Sequence, residues 1–256
     1  QVLRGIERVT PEPVRQAMTQ TRNAISGAQG IRQLDELLFP SQAAPDPTAT
    51  PDTQSVADAG QSVVQVYGTA AQCAQNQTGS GFVAQPGTVV TNAHVVAGVD
   101  QPVVQTRDGR VYRAQAVQYD AASDLAVLRV PDLPEAPLAL QGSVTSGQTV
   151  SFAGYPLGGP YTLRPATIQG QAVAPVQNVT TGQTQTRSII QIAGNVEQGN
   201  SGGPLLNADG EVVGVVFAKA VTDQVGYAIP VARVIEILAA AGGSTESVPT
   251  GQCVVS

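Results

Sequence analysis

Gly199-Asn200-Ser201-Gly202-Gly203-Pro204 sets a primary hydroxyl on a glycine-rich turn that leads into the apolar run Pro204-Leu205-Leu206. A serine hydroxyl is a weak nucleophile until a base within hydrogen-bond reach takes its proton. The chain has one histidine, His94, in Thr91-Asn92-Ala93-His94-Val95-Val96. A third segment, Ser123-Asp124-Leu125-Ala126-Val127-Leu128, puts a carboxylate at the mouth of an apolar strand. Such a carboxylate can accept the second imidazole N–H, fix the tautomer and stabilise the imidazolium. The glycine turn also lets the backbone N–H groups of Gly199 and Ser201 converge on one developing oxyanion. Hydroxyl, imidazole and carboxylate in these settings point to acyl transfer through a covalent intermediate.

Other carboxylates compete for the third role. The rivals are Asp100, Asp108, Asp120 and Asp132: Asp108 belongs to an Asp-Gly turn, Asp132 lies in a proline-flanked loop, and Asp120 lacks an apolar strand directly after it. Asp120 is the serious rival, and the strand that follows Asp124 favours Asp124. Two cysteines, Cys73 and Cys253, read either as buried thiols or as one disulfide pinning the C-terminal tail. With His94 committed elsewhere, they cannot build a zinc site. No metal or other cofactor is expected.

Charged residues make up 12% of the chain and the net charge is −6. That balance, without a basic stripe, argues against nucleic acid as a partner. No apolar run reaches about 18 residues, so no membrane-spanning helix is expected. The chain begins at Gln1 and reads as a fragment or processed form, with any signal or anchor outside it.

The elements that must carry these residues are short. Residues 1–40 read as a helical N-terminal arm, with Thr10-Pro11 as a helix start, Gly27 as a stop and Ile31, Leu34, Leu37 and Leu38 at helical spacing. The arm could contact the body of the protein intramolecularly, lead back to a membrane anchor, or be a surface helix with no further role. Residues 41–60, rich in Pro, Ala, Thr, Asp and Gln, read as a flexible linker. From 61 the pattern is all-β: strands at 62–67, 81–84, 88–91, 103–106, 111–117 and 125–130, then at 151–154, 161–171, 189–192, 204–206, 212–216 and 225–229. A helix is expected over 231–241, stopped by Gly242-Gly243.

The three chemical segments, in the order His94, Asp124, Ser201, resemble the chymotrypsin-like serine proteases. That resemblance implies two antiparallel six-stranded Greek-key barrels, over about 61–135 and 140–230, with a C-terminal helix and the site in the cleft between them. It implies an endopeptidase acting on protein or peptide substrates through a Ser-His-Asp triad, with Gly199 and Ser201 as the oxyanion hole. Alignment with the family would place the specificity pocket at Asn195, Val196, Phe217, Ala218, Lys219, Gly226 and Tyr227, suited to a medium-sized uncharged side chain. For Lys219, the only lysine, a solvated surface charge is the better reading.

Asn200 departs from the digestive branch, which has aspartate there to pair with a freed N-terminus. The chain is more similar to the bacterial branch related to the high-temperature-requirement (HtrA) proteases, and most of all to the membrane-anchored periplasmic serine proteases of actinobacteria (the MarP type). That likeness covers about 61–256. It implies a Cys73–Cys253 disulfide, a periplasmic or extracellular setting with a membrane anchor outside this chain, and a role in stress or acid resistance. A catalytically quiet protease-fold module that needs an activator is the alternative.

Overall fold

The computed structural model describes residues 53–178, 182–219 and 224–253, with Lys219 described by its backbone alone. The expected arm at 1–40 and residues 41–52 of the expected linker lie outside the described residues. From Thr53 onward the linker reading is corrected. Thr53 caps a short helix, α1 (Gln54–Ala59), its hydroxyl accepting from the Val56 N–H at 3.2 Å. Val56 is wholly buried, and the Thr53 hydroxyl also donates to Ala208 O at 2.7 Å. One turn of helix is thereby fastened to the second half of the molecule before the first strand begins.

The first half is an antiparallel sheet of β1 (Val63–Ala70), β2 (Gln75–Gln85), β3 (Thr88–Thr91), β4 (Val103–Gln105), β5 (Val111–Arg113), β6 (Gln115–Asp120) and β7 (Leu125–Arg129), in the order β5-β4-β1-β2-β3-β7-β6. The expected count of six becomes seven because the single strand read at 111–117 breaks at Ala114. β5 then pairs with β4 while β6 pairs with β7. These two edge strands are separated in sequence by one residue, so the sheet curls until its edges meet at that corner. The second half is a closed six-stranded barrel of β8 (Thr149–Gly154), β9 (Thr162–Gln177), β10 (Thr184–Ala193), β11 (Pro204–Leu206), β12 (Val212–Lys219) and β13 (Val225–Pro230).

Each half has its own apolar core, Val64, Val83, Val89 and Leu128 in the first and Val150, Phe152, Ile168 and Ile190 in the second. A third core joins them: Phe82, Val90, Leu125 and Val127 meet Leu206, Val215, Phe217 and Tyr227. Helix α2 (Val231–Ala241) buries Val231, Val234, Ile237, Leu238 and Ala241 at helical spacing against both halves. Its end follows the expected glycine stop, the Gly242 N–H bonding Leu238 O at 3.0 Å.

The tail then returns to the first sheet. Val248 N–H bonds Ala116 O (2.8 Å), Gly98 N–H bonds Thr250 O (3.2 Å) and the Thr250 hydroxyl bonds Val99 O (3.0 Å). A Cys73–Cys253 disulfide closes this return, 180 residues apart in sequence. The tail is thus fixed to the segment just after His94.

Candidate active site

Ser201 sits in the turn between β10 and β11, where space dictates the glycines. A Cβ on Gly199 (φ +95°) would lie 2.4 Å from Tyr155 O, and one on Gly202 (φ +86°) 2.1 Å from Ser80 O. No side chain fits at either place, and both need a left-handed backbone. The turn is anchored on the far side as well, the Gly202 N–H bonding Val216 O at 2.8 Å.

The first sheet grips this turn through residues that sequence reasoning missed. Ser80 N–H donates to Ser201 O at 2.8 Å, while the Ser80 hydroxyl donates to Gly199 O at 2.7 Å and accepts from the Tyr155 N–H at 2.9 Å. The Leu157 N–H holds Gln198 O at 2.6 Å. The carbonyls of Gln198 and Gly199, on either side of Gly199, are thus both held. Among the described residues, no carbonyl accepts from the Gly199 or Ser201 N–H groups. Two fixed donors without an internal acceptor are what an oxyanion needs. Leu157 adopts φ +55° and is 74% exposed, so the local strain sits beside these donors.

His94 stands in a single 3-10 turn after β3, and Asp124 in the β6–β7 turn at φ +58°. Asp124 Oδ2 lies 2.8 Å from His94 Nδ1, and Oδ1 accepts from the His94 backbone N–H at 3.0 Å. Asn92 secures the same turn, its amide donating to Asp124 O at 2.8 Å. The carboxylate is buried and the imidazole partly open to solvent. The rivals have other work. Asp120 accepts from the Ala122 and Ser123 N–H groups and from the Ser123 hydroxyl, and so shapes the turn that presents Asp124. Asp108 closes the β4–β5 turn, where the Thr106 hydroxyl above all, with Arg110, holds its carboxyl below the usual range.

Both halves of the site meet around Gly79. A Cβ there would lie 2.6 Å from a Val95 methyl on one side and 2.9 Å from Ser201 O on the other. The Ser201 hydroxyl donates to Phe217 O at 3.4 Å, a long contact, and among the described residues it has no hydrogen bond with His94. Asn200 is wholly buried, with neither amide atom partnered among the described residues.

Of the expected pocket residues, Ala218, Lys219, Gly226 and Tyr227 come together through β12–β13 pairing, Ala218 opposite Tyr227 and Lys219 opposite Gly226. Val196 packs against Gly226, where a Cβ would lie 2.4 Å from its methyl. Asn195 is exposed. The rings of Phe217 and Tyr227 turn into the joining core, so it is the carbonyl of Phe217 that meets Ser201. The neighbouring carboxylate, Glu197, is held by Arg164 at 3.0 Å.

Tyr155 links the halves beneath the site, its hydroxyl donating to Val63 O at 3.2 Å. Burial disfavours the phenolate and pushes its pKa up to about 12. A phenol in the unfolded chain ionises near 10. The contribution to stability is therefore full below pH 10 and is lost as pH climbs from 10 to about 12. Melting temperature should fall across that window in the unmodified chain, and less steeply in Tyr155→Phe. Parallel curves would show that Tyr155 does not carry the effect.

Residues 79–215 match the family model of the trypsin-like peptidase domain. The serine protease Rv3671c of Mycobacterium tuberculosis is 39% identical over 216 residues, which is 83% of this chain and 53% of that protein. DegS, a serine endoprotease of Salmonella typhimurium, is 30% identical over 78% of this chain and 60% of its own length. The chain thus spans little more than half the length of these relatives. The crystal structure of the Rv3671c protease in its active form superposes with a TM-score of 0.76 at 36% identity, covering 86% of this chain and all of that one. Its inactive form gives 0.66.

Proposed function

The chain belongs to the trypsin-like peptidase family, and on that premise we propose that it is a serine endopeptidase that cleaves protein substrates outside the cytoplasm. Ser201 Oγ attacks the scissile carbonyl carbon and passes its proton to His94. Asp124 holds the ring by Nδ1, and the Gly199 and Ser201 N–H groups receive the oxyanion. The imidazolium returns its proton to the leaving amine, and water then releases the acyl group by the same route. The observation that carries this reading is the two-point grip of Asp124 on His94, at ring and backbone, with amides at Gly199 and Ser201 that no carbonyl among the described residues accepts from.

Support for an extracytoplasmic setting comes from the disulfide, which persists in oxidising compartments. No helix among the described residues is long and apolar enough to cross a membrane, so anchoring would use chain outside them. A role in stress or acid resistance is the finer part of the same proposal. The test is labelling with a fluorophosphonate at pH 8 and mapping of the adduct by mass spectrometry. An adduct on Ser201 that vanishes in Ser201→Ala is expected; an unlabelled chain would overturn it. The long Ser201–Phe217 contact favours one other reading, a resting module that labels only after an activator binds.

A further inference from the structure

Ser80, on β2, is wholly buried where the first sheet meets the turn around Ser201. All its polar atoms are engaged. Its carbonyl accepts from the Thr91 hydroxyl at 2.7 Å, and its N–H donates to Ser201 O at 2.8 Å. Its hydroxyl lies 2.9 Å from Tyr155 N and 2.7 Å from Gly199 O. An amide N–H can only donate and a carbonyl can only accept. The Ser80 proton is therefore committed to Gly199 O, and the hydroxyl has one direction rather than a choice of rotors.

Gly199 carries one of the two proposed oxyanion donors and has φ +95°. Glycine tolerates wide swings in both of its dihedrals, so the aim of that N–H has to be set by its neighbours. Two contacts set it. On the carbonyl side, Ser80 Oγ holds Gly199 O. On the amide side, the Leu157 N–H holds Gln198 O at 2.6 Å, and a trans peptide then points the Gly199 N–H the opposite way. The two contacts share a source. Tyr155, whose N–H the Ser80 hydroxyl accepts, stands two residues before Leu157, and the Gly158 N–H returns to Tyr155 O at 3.1 Å. One hydroxyl thus fixes Gly199 from one side directly and from the other through a single tight turn. Gly154, just before Tyr155, leaves little slack: a Cβ there would lie 2.6 Å from Ser80 Oγ.

We propose that Ser80 is a positioning residue for the oxyanion hole, its hydroxyl aiming the Gly199 N–H without touching the substrate. This rests on the triad and oxyanion reading above. A hydroxyl that only holds the two halves together acts alike on every bound state. One that aims a donor acts where charge builds on the substrate oxygen, in the tetrahedral state and its mimics. The second donor is fixed independently of that hydroxyl: Asn200 O, on the peptide that carries the Ser201 N–H, accepts from the Gly203 N–H at 2.9 Å. The loss on removing the hydroxyl should therefore be that of one donor's aim, not of both.

The experiment compares the unmodified chain with Ser80→Ala on a peptide substrate and on the matching peptide boronic acid. The boronate adduct with Ser201 is tetrahedral and carries an oxygen where the oxyanion forms. Binding of the uncleaved peptide is measured separately in Ser201→Ala, with and without Ser80→Ala. Removing one oxyanion donor outright costs about 100- to 1,000-fold in kcat. Loss of its aim alone should cost ~10- to 100-fold in kcat at an unchanged KM. Boronate affinity should weaken in parallel, while the two Ser201→Ala chains bind the peptide equally. A folded Ser80→Ala chain with kcat and boronate affinity within about three-fold of the unmodified chain would overturn the proposal. So would equal losses of boronate and uncleaved-peptide binding, the mark of a merely structural hydroxyl. If Ser80→Ala does not fold, Ser80→Cys fills the same place with a weak donor and acceptor, and the same comparison of boronate with peptide binding decides. Hydrolysis surviving in Ser201→Ala, or an unmodified chain that forms no boronate adduct, would instead sink the reading on which the proposal rests.

Discussion

Asp124→Asn is expected to lower kcat by about four orders of magnitude while leaving the fold in place. The reason is the division of labour between the two carboxylate oxygens. Oδ1 receives the His94 backbone N–H and also lies 3.0 Å from ring Nδ1, while Oδ2 lies nearest that nitrogen at 2.8 Å. An asparagine must keep its oxygen on the backbone N–H, which turns its NH₂ toward the ring. The imidazole then has to present a lone pair at Nδ1 and carry its proton on the nitrogen that should accept from Ser201. The base is present but in the wrong tautomer. Kinetics on a peptide substrate, with melting temperature as the check on folding, tests this. A loss below ten-fold in a folded variant would remove Asp124 from the proposed chemistry. Asp120→Asn serves as the contrast, since it weakens the turn acceptors and should cost stability, about 1–2 kcal/mol, more than catalysis.

The second large effect concerns stability. Replacing Cys253 by serine should cost about 3–5 kcal/mol, because the disulfide closes a span of 180 residues and long loops lose the most entropy when closed. For a domain of this size that is a fall of roughly 10 °C or more in melting temperature. The damage should concentrate where the tail docks, at the bonds from Thr250 to Gly98 and Val99 just behind the His94 turn. Urea unfolding with and without reductant measures it. A difference under about 1 kcal/mol would mean that these docking bonds hold the tail unaided.

The parts legible in the sequence are those whose causes are local. The glycines around Ser201 are dictated by backbone and space within a few residues, and α2 declares itself by spacing and by Gly242. Strands β3, β7 and β11 are short apolar runs, and they fall where the pattern puts them. The polar halves of long strands were not legible. β2 begins at Gln75 and β10 at Thr184, several residues before their apolar stretches, because ladder bonds to β1 and β9 hold residues that bury little. β9 runs through Pro165 and Pro175, which reads against a strand. The register explains it: β8 pairs with 162–167 and β10 with 167–177, so each proline lies where β9 has a single neighbour. Helix α1 hid in linker-like composition, since one capped turn carries only Val56 and Ala59 as buried residues. Ser80 and Leu157 carry no local signal, because their roles arise from contacts across distant parts of the chain.

One consequence follows from where the sulfurs sit. Joining residues 73 and 253 makes the greater part of the molecule a covalent ring, with everything before Cys73 as a strand hanging from it. His94, Asp124 and Ser201 all lie on the ring. A single cut in any of its surface turns, at Asp108-Gly109 for instance, opens the ring without dividing the molecule, and the fragments part only after reduction. A cut before Cys73 separates two pieces at once. The same bond therefore decides which clips the molecule can survive as one covalent body and which release a segment from it.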